Sequence, residues 1–243
     1  MLLAALFMAP WHAPAATVQA VGQSHGCLID IDGEIDRRTP RMLDGALKAA
    51  AGTECVVRVN SNGGDLDAAI DTGKLIRRHG ARTRVSEQAR CASACVMLFI
   101  GGVSRDASGA IGMHRFYSTR PPRSEREAQT YYRDINGRIR QHLDDMNIPE
   151  RLMHVMNSTP PGQVHWLTGE RDRAMLRELH VAGEDPVWAD QRDAATAARM
   201  GISIQEYYGR QQRSHALCDL ERATAANARE RARCRFEVLE GKR

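Results

Sequence analysis

From Cys27 onward, short apolar runs rich in β-formers alternate with stretches whose apolar residues recur at helical spacing, the order of an α/β fold on a mainly parallel sheet. Cys27 to Ile31 reads as a first strand, and Gly33 turns the chain after it. Thr39-Pro40 opens a helix whose apolar face is Met42, Leu43, Ala46, Leu47 and Ala50, stopped by Gly52. Cys55 to Val59 is β-rich, Asn60-Ser61-Asn62-Gly63-Gly64 is a dense turn signal, and a helix follows from about Asp65 to Arg78. A strand at Thr83 to Ser86 precedes Cys91 to Ile100, which is small at its start, apolar thereafter, and predicts a buried helix. Ala110 to His114 is the next strand. An arginine-rich helix from about Arg123 to Met146, a shorter one from Pro149 to Asn157, an edge strand near Val164 to Thr168 and a helix from about Glu170 to Leu179 complete this pattern.

The two ends read differently. Met1 to about Ala20 carries an apolar run, Leu2 to Ala9, and ends in the small-x-small sequence Val18-Gln19-Ala20, which predicts a secretory signal over 1–20. That run is far short of the ~20 apolar residues that a spanning helix needs. The mature chain is therefore expected to be periplasmic or secreted, without a transmembrane segment. Residues 21–185 form the expected domain. Beyond Pro186 the composition turns to Ala, Arg, Gln and Glu, which predicts a helical C-terminal extension over 186–243.

Composition narrows the chemistry. The 243 residues are 42% hydrophobic, enough for one core with an appendage, and 34 basic against 30 acidic residues leave a scattered surplus that calls for no nucleic acid. Only Lys48, Lys74 and Lys242 are lysines, so the positive charge is nearly all arginine, which cannot act as a general base. Six cysteines, Cys27, Cys55, Cys91, Cys95, Cys218 and Cys234, form an even set, expected to be disulfides in an exported protein. Cys218 and Cys234 share a late helical segment and are expected to staple it. Cys91 and Cys95, four apart in an expected regular helix, are not expected to join each other; each should reach another element such as Cys27 or Cys55. Zinc-type spacings are absent, so neither metal nor cofactor is expected.

One constellation stands out: a double glycine after a strand (Gly63, Gly64), a serine among small residues opening a buried helix (Ser93), and a histidine ending the next strand (His114). Together they suit acyl transfer. Unshielded Gly64 and Ala94 amides can hold an oxyanion, where losing one donor costs about 2.7–4 kcal/mol of barrier. Ser93 is the nucleophile in this reading. His114 takes its proton and returns it to the leaving amine. The G-x-S-x-G elbow is not met, because Cys91 and Cys95 stand where it has glycines. A thiolate nucleophile at Cys91 or Cys95 is the rival, removed if either is bridged.

Val59-Asn60-Ser61-Asn62-Gly63-Gly64-Asp65, then Ala92-Ser93-Ala94, then Gly112-Met113-His114, resembles the proteolytic subunit of Clp protease and its exported relatives, over roughly Cys27 to Gly183. The resemblance implies a crotonase-like fold of repeated ββα units with a mainly parallel sheet flanked by helices. It implies Gly63 and Gly64 as the oxyanion loop, Ser93 as nucleophile and His114 as base. It also implies a peptide or unfolded-protein substrate and a homo-oligomer. The family's third triad member, an aspartate, has no counterpart at Gly162-Gln163-Val164-His165. Asp144, Asp145, Asp172 or a backbone carbonyl are the candidates to orient His114, and the third member stays unknown. Losing an orienting Asp costs about 10⁴ in kcat in a serine protease, so a catalytically inactive binding or scaffolding protein of the envelope is the alternative expectation. A serine–lysine dyad is a weaker rival because Lys48 and Lys74 lie on amphipathic helices, where a solvated surface role is expected, and crotonase-type acyl-CoA chemistry is weaker because no catalytic glutamate pair is apparent.

Overall fold

The computed structural model describes residues 14–23, 26–50, 53–118, 122–168, 170–181, 183–218 and 228–242. The chain is mixed α/β and divides into two compact units, Met1–Glu184 and Asp185–Arg243.

In the first unit, β1 (Thr17–Gln23), β2 (Gly26–Asp32), β3 (Cys55–Asn60), β4 (Arg82–Val85) and β6 (Arg105–Ala107) form one sheet in the order β1-β2-β3-β4-β6. Strand β1 runs antiparallel to β2, and the other neighbours are parallel. A second sheet holds β5 (Arg90–Ala92), β7 (Ala110–Met113) and β8 (His165–Trp166), with β5 and β7 parallel. Helices α1 (Thr39–Ala49), α2 (Leu66–Arg78), α3 (Cys95–Phe99), α4 (Glu125–Asp145), α5 (Arg151–Ser158) and α6 (Arg173–Leu179) intervene.

Local chemistry fixes these boundaries. Pro40 pre-sets the first turn of α1, and Thr39 Oγ1 accepts the Asp36 amide at 3.1 Å. The Asp65 carboxylate caps α2 by accepting the Ala68 amide at 3.0 Å, and Ser124 caps α4 through Glu127 N at 3.1 Å. In β3, Cys55, Val57 and Val59 face the core while Asn60 faces out, the alternation of a strand buried on one side. The outer face is polar: Arg58 pairs with Asp30 at 2.6 Å, Asn60 with Asp32 at 2.9 Å and Arg84 with Asp106 at 2.7 Å, each across neighbouring strands. The core lies on the opposite face, where α3 is completely buried from Cys95 to Phe99.

Three differences from the sequence expectations have physical causes. Thr17–Gln23 is a strand in register with Asp32–Gly26, and Ala16 is 4% exposed, so the boundary expected at Ala20 falls inside β1. The expected helix over Cys91 to Ile100 is a strand, a turn and a five-residue helix, because Arg90–Ala92 joins β7 in register. That break also corrects the disulfides: Cys91 bonds Cys95, and Cys27 bonds Cys55. In a regular helix residues four apart do not bridge, but Cys91 ends up in β5 and Cys95 begins α3, 5.2 Å apart at Cα. Cys27 and Cys55 are register partners on β2 and β3.

The second unit consists of α7 (Pro186–Arg199), α8 (Ile204–Cys218) and α9 (Ala228–Leu239), with Cys218 bonded to Cys234. Asp185 caps α7, accepting the Val187 amide at 3.0 Å. Among the described residues no helix is long and apolar enough to cross a membrane, and no cysteine is free. Residues 1–13 of the expected signal lie outside the described residues.

Candidate active site

The two sheets meet at Ser61. Its amide donates to Arg90 O at 2.8 Å, and its carbonyl accepts the Ala92 amide at 3.0 Å, so the chain leaving β3 continues alongside β5. Ser61 opposite Cys91 puts Gly63 beside Ser93. A methyl group on Gly63 would stand 2.8 Å from Ser93 Cβ and 3.1 Å from the Ala94 nitrogen. The other side of the loop is laced to Ile35, whose amide donates to Gly63 O at 2.8 Å and whose carbonyl accepts the Asp65 amide at 2.8 Å. A Cβ on Gly64 would lie 2.1 Å from that carbonyl, and Gly63 and Gly64 hold φ of 110° and 139°, so glycine is required at both.

The two glycine amides differ in availability. Gly63 N–H donates to the buried Ser61 Oγ at 3.1 Å. Among the described residues, Gly64 N–H and Ala94 N–H donate to no acceptor.

Ser93 sits in the turn between β5 and α3 with φ of 56°, a left-handed conformation that L-residues adopt rarely and at a cost. Its amide donates to Gly112 O at 2.9 Å and its carbonyl accepts the Val96 amide at 3.1 Å. A serine on a strained strand-to-helix turn is the arrangement of a nucleophile elbow, reached here without flanking glycines. Helix α3, five residues long, is too short to supply an appreciable dipole, so any oxyanion stabilisation falls to individual amides. The bond between Cys91 and Cys95 also removes both thiols as nucleophiles.

Strand β7 brings His114 to the same end. Ala92 registers with Gly112, so Ser93 and His114 leave the carboxyl ends of adjacent parallel strands. The half-buried His114 ring places Nδ1 3.0 Å from Arg115 O and flanks Phe116 and Tyr117, with centroids 6.3 and 6.1 Å away. A carbonyl only accepts, so Nδ1 carries the proton and Nε2 the lone pair of a base. Ser93 Oγ and His114 are not hydrogen-bonded to each other among the described contacts.

The carboxylates considered as orienting groups stand elsewhere. Asp172 Oδ1 is 3.0 Å from His165 Nε2, Asp145 accepts from Gln141 at 2.9 Å, and Asp144 is exposed. A backbone carbonyl, that of Arg115, holds His114. Lys48, exposed on α1, pairs with Asp44 at 2.5 Å, and the half-buried Lys74 of α2 lies 4.0 Å from Asp145.

A cavity of about 610 Å³ lies at the carboxyl ends of β2 and β3, lined by Asp32, Glu34, Asn62, Gly63, Gly64 and Arg90 among others. Gly63 and Gly64 lie on its wall, and Ser93 and His114 do not. Among the described residues no three His, Cys, Asp or Glu cluster as a metal site.

Two features escaped the sequence reading. His165, opposite Met113 on β8, pairs with Asp172; their separation of seven residues across an edge strand and a turn has no sequence signature. His142 of α4 is 1% exposed, and its Nε2 lies 2.8 Å from Met97 O in α3. Nε2 therefore donates, leaving Nδ1 buried without a partner. Burial pushes this imidazole below its ordinary value, against the opposing pull of the Met97 carbonyl. Its signal was the helical spacing Ile135, Ile139, His142, Leu143, which marks a core face.

In comparison with known proteins, no protein-family model and no curated protein matches the chain.

Proposed function

We propose that this chain is an exported serine peptidase of the Clp proteolytic-subunit type on a crotonase-like fold, cleaving peptides or unfolded protein segments. The observation that carries this reading is Gly63 held so close to Ser93 that a methyl group on it would stand 2.8 Å from Ser93 Cβ, with Ser93 and His114 following the paired ends of β5 and β7.

Ser93 Oγ attacks the scissile carbonyl as His114 Nε2 takes its proton. The new oxyanion accepts hydrogen bonds from Gly64 N–H and Ala94 N–H, the two amides with no other acceptor among the described residues. The Nδ1–H of the imidazolium stays on Arg115 O, and Nε2–H passes to the leaving amine. Water then repeats the sequence to release the acyl group. The proton path requires Ser93 Oγ and His114 Nε2 to come within hydrogen-bond reach as substrate binds, since catalytic hydrogen bonds in unliganded enzymes often tighten only in the complex. A neutral carbonyl stabilises imidazolium less than a carboxylate does, so slow turnover is expected. No step calls on a metal or nucleotide. Three disulfides fit an oxidising compartment, and a homo-oligomer belongs to the same reading.

Hydrolysis of an unstructured protein and a mixed peptide library tests the proposal. Cleavage abolished by Ser93→Ala and lowered at least 10²-fold by His114→Ala is expected, on the order of general acid–base contributions. Cleavage unchanged in Ser93→Ala overturns it.

A binding or scaffolding protein that has lost turnover is the second reading. The His114 ring resting on Arg115 O, with no carboxylate behind it, favours that alternative. Peptide binding without any cleavage by the wild-type protein would support it.

A further inference from the structure

We infer that the Cys91–Cys95 disulfide is a positioning device for the nucleophile, holding the Ser93 turn in the left-handed backbone conformation from which its hydroxyl reacts. The inference rests on the peptidase reading. Ser93 is the middle residue of the ring that the disulfide closes, Cys91-Ala92-Ser93-Ala94-Cys95, with both sulfur-bearing residues at 0% exposure. One end of the ring is the strand β5, tied by Ser61 and by β7; the other is the first residue of α3.

Two backbone bonds, from the Ser93 amide to Gly112 O and from the Val96 amide to Ser93 O, hold the turn, and the disulfide adds a covalent tie across it. A helix of five residues is too short to be stable from its own hydrogen bonds, and a non-glycine residue at φ of 56° gains by relaxing to a right-handed or extended conformation. Such relaxation swings Oγ and the Ala94 amide together, because both leave the same turn. Joining residues two before and two after the serine blocks that motion at its source. The Cys27–Cys55 bond differs in kind: it joins register partners on strands already paired along β2 and β3, so it constrains no turn. It serves as the internal control.

The experiment measures labelling by a fluorophosphonate over a range of concentrations, which separates the maximal rate from the half-saturating concentration. It compares the wild-type chain, Cys91→Ala/Cys95→Ala and Cys27→Ala/Cys55→Ala, each purified as the folded species. Cys91→Val/Cys95→Ala refills the buried volume should the double alanine variant fail to fold. The inference expects a maximal rate lowered by about 10²-fold in the Cys91/Cys95 variants with little change in half-saturation, the loss typical of an ångström-scale misplacement. The Cys27/Cys55 variant should label at the wild-type rate. Equal labelling by wild type and a folded Cys91/Cys95 variant overturns the positioning role while leaving the peptidase reading intact. Absence of labelling in the wild type overturns the peptidase reading and this inference with it.

Discussion

Gly63→Ala probes the contact on which the site depends. The added methyl would stand 2.8 Å from Ser93 Cβ, 2.9 Å from Ala92 O and 3.1 Å from Ala94 N. None of these is the free end of a flexible side chain, so relief requires backbone movement of the nucleophile turn or of the glycine loop. The loop resists, because Ser61 Oγ clasps Gly63 N–H and Ile35 holds Gly63 O. Holding an L-residue at φ of 110° costs about 1–3 kcal/mol, and overpacking adds about 1–3 kcal/mol, for a total of about 2–6 kcal/mol. With a urea m-value of about 1–3 kcal/mol/M, the unfolding midpoint should fall by roughly 1 M or more. Labelling of the folded fraction should slow by about 10- to 100-fold as Ser93 is displaced. Gly45→Ala is the control: Gly45 lies on the exposed face of α1 with nothing within 4 Å of the new methyl, and the substitution should stabilise by about 0.5–1 kcal/mol. A Gly63→Ala protein with the wild-type midpoint and labelling rate would refute the claim that the loop abuts the serine.

Three further outcomes follow from the same geometry. Burial lowers the His142 pKa, so as pH falls below its unfolded value of 6.5 the unfolded chain takes up the proton first and stability drops until the folded value is reached. The unfolding free energy from urea titrations between pH 7.5 and 5 should fall by up to ~1.4 kcal/mol per pH unit, and His142→Gln, which can still donate to Met97 O, should flatten that window; equal slopes in both proteins would contradict the assignment. Removing Cys27–Cys55 with alanines should cost about 3.5 kcal/mol against about 2 kcal/mol for Cys91–Cys95, because their sequence separations are 28 and 4, and equilibrium unfolding that reverses the order would count against this account. If the chain is exported, N-terminal sequencing should find processing no later than Ala15, because removal through Ala20 deletes Thr17 to Ala20 from β1 together with the buried Ala16, and a mature chain starting at Val21 would mean that β1 is dispensable.

The sequence carried the α/β order well, because β2, β3 and β4 are short β-rich runs and α1 and α2 have clear apolar faces with Pro40 and Asp65 at their starts. It hid β1, since Val18-Gln19-Ala20 reads equally as a processing site and as part of an edge strand. It hid the strand–turn–helix at Ser93 for a different reason. Cys91 to Phe99 is small and apolar throughout, and no local pattern tells a buried helix from a buried strand followed by a short one. Only tertiary pairing, Cys91 with Ile111 and Ala92 with Gly112, decides it, and the disulfide then follows from that break. The members Gly63, Gly64, Ser93 and His114 were legible as residue types in order. The assignment of Gly63 N–H to Ser61 Oγ and of His114 Nδ1 to Arg115 O was not, because both bonds depend on side-chain direction within loops.

Mass spectrometric mapping of the fluorophosphonate adduct tests the central claim most directly. The account predicts a single adduct on the peptide containing Ser93, absent in Ser93→Ala and formed much more slowly in His114→Ala. An adduct on any other residue, or an undiminished rate without His114, contradicts it.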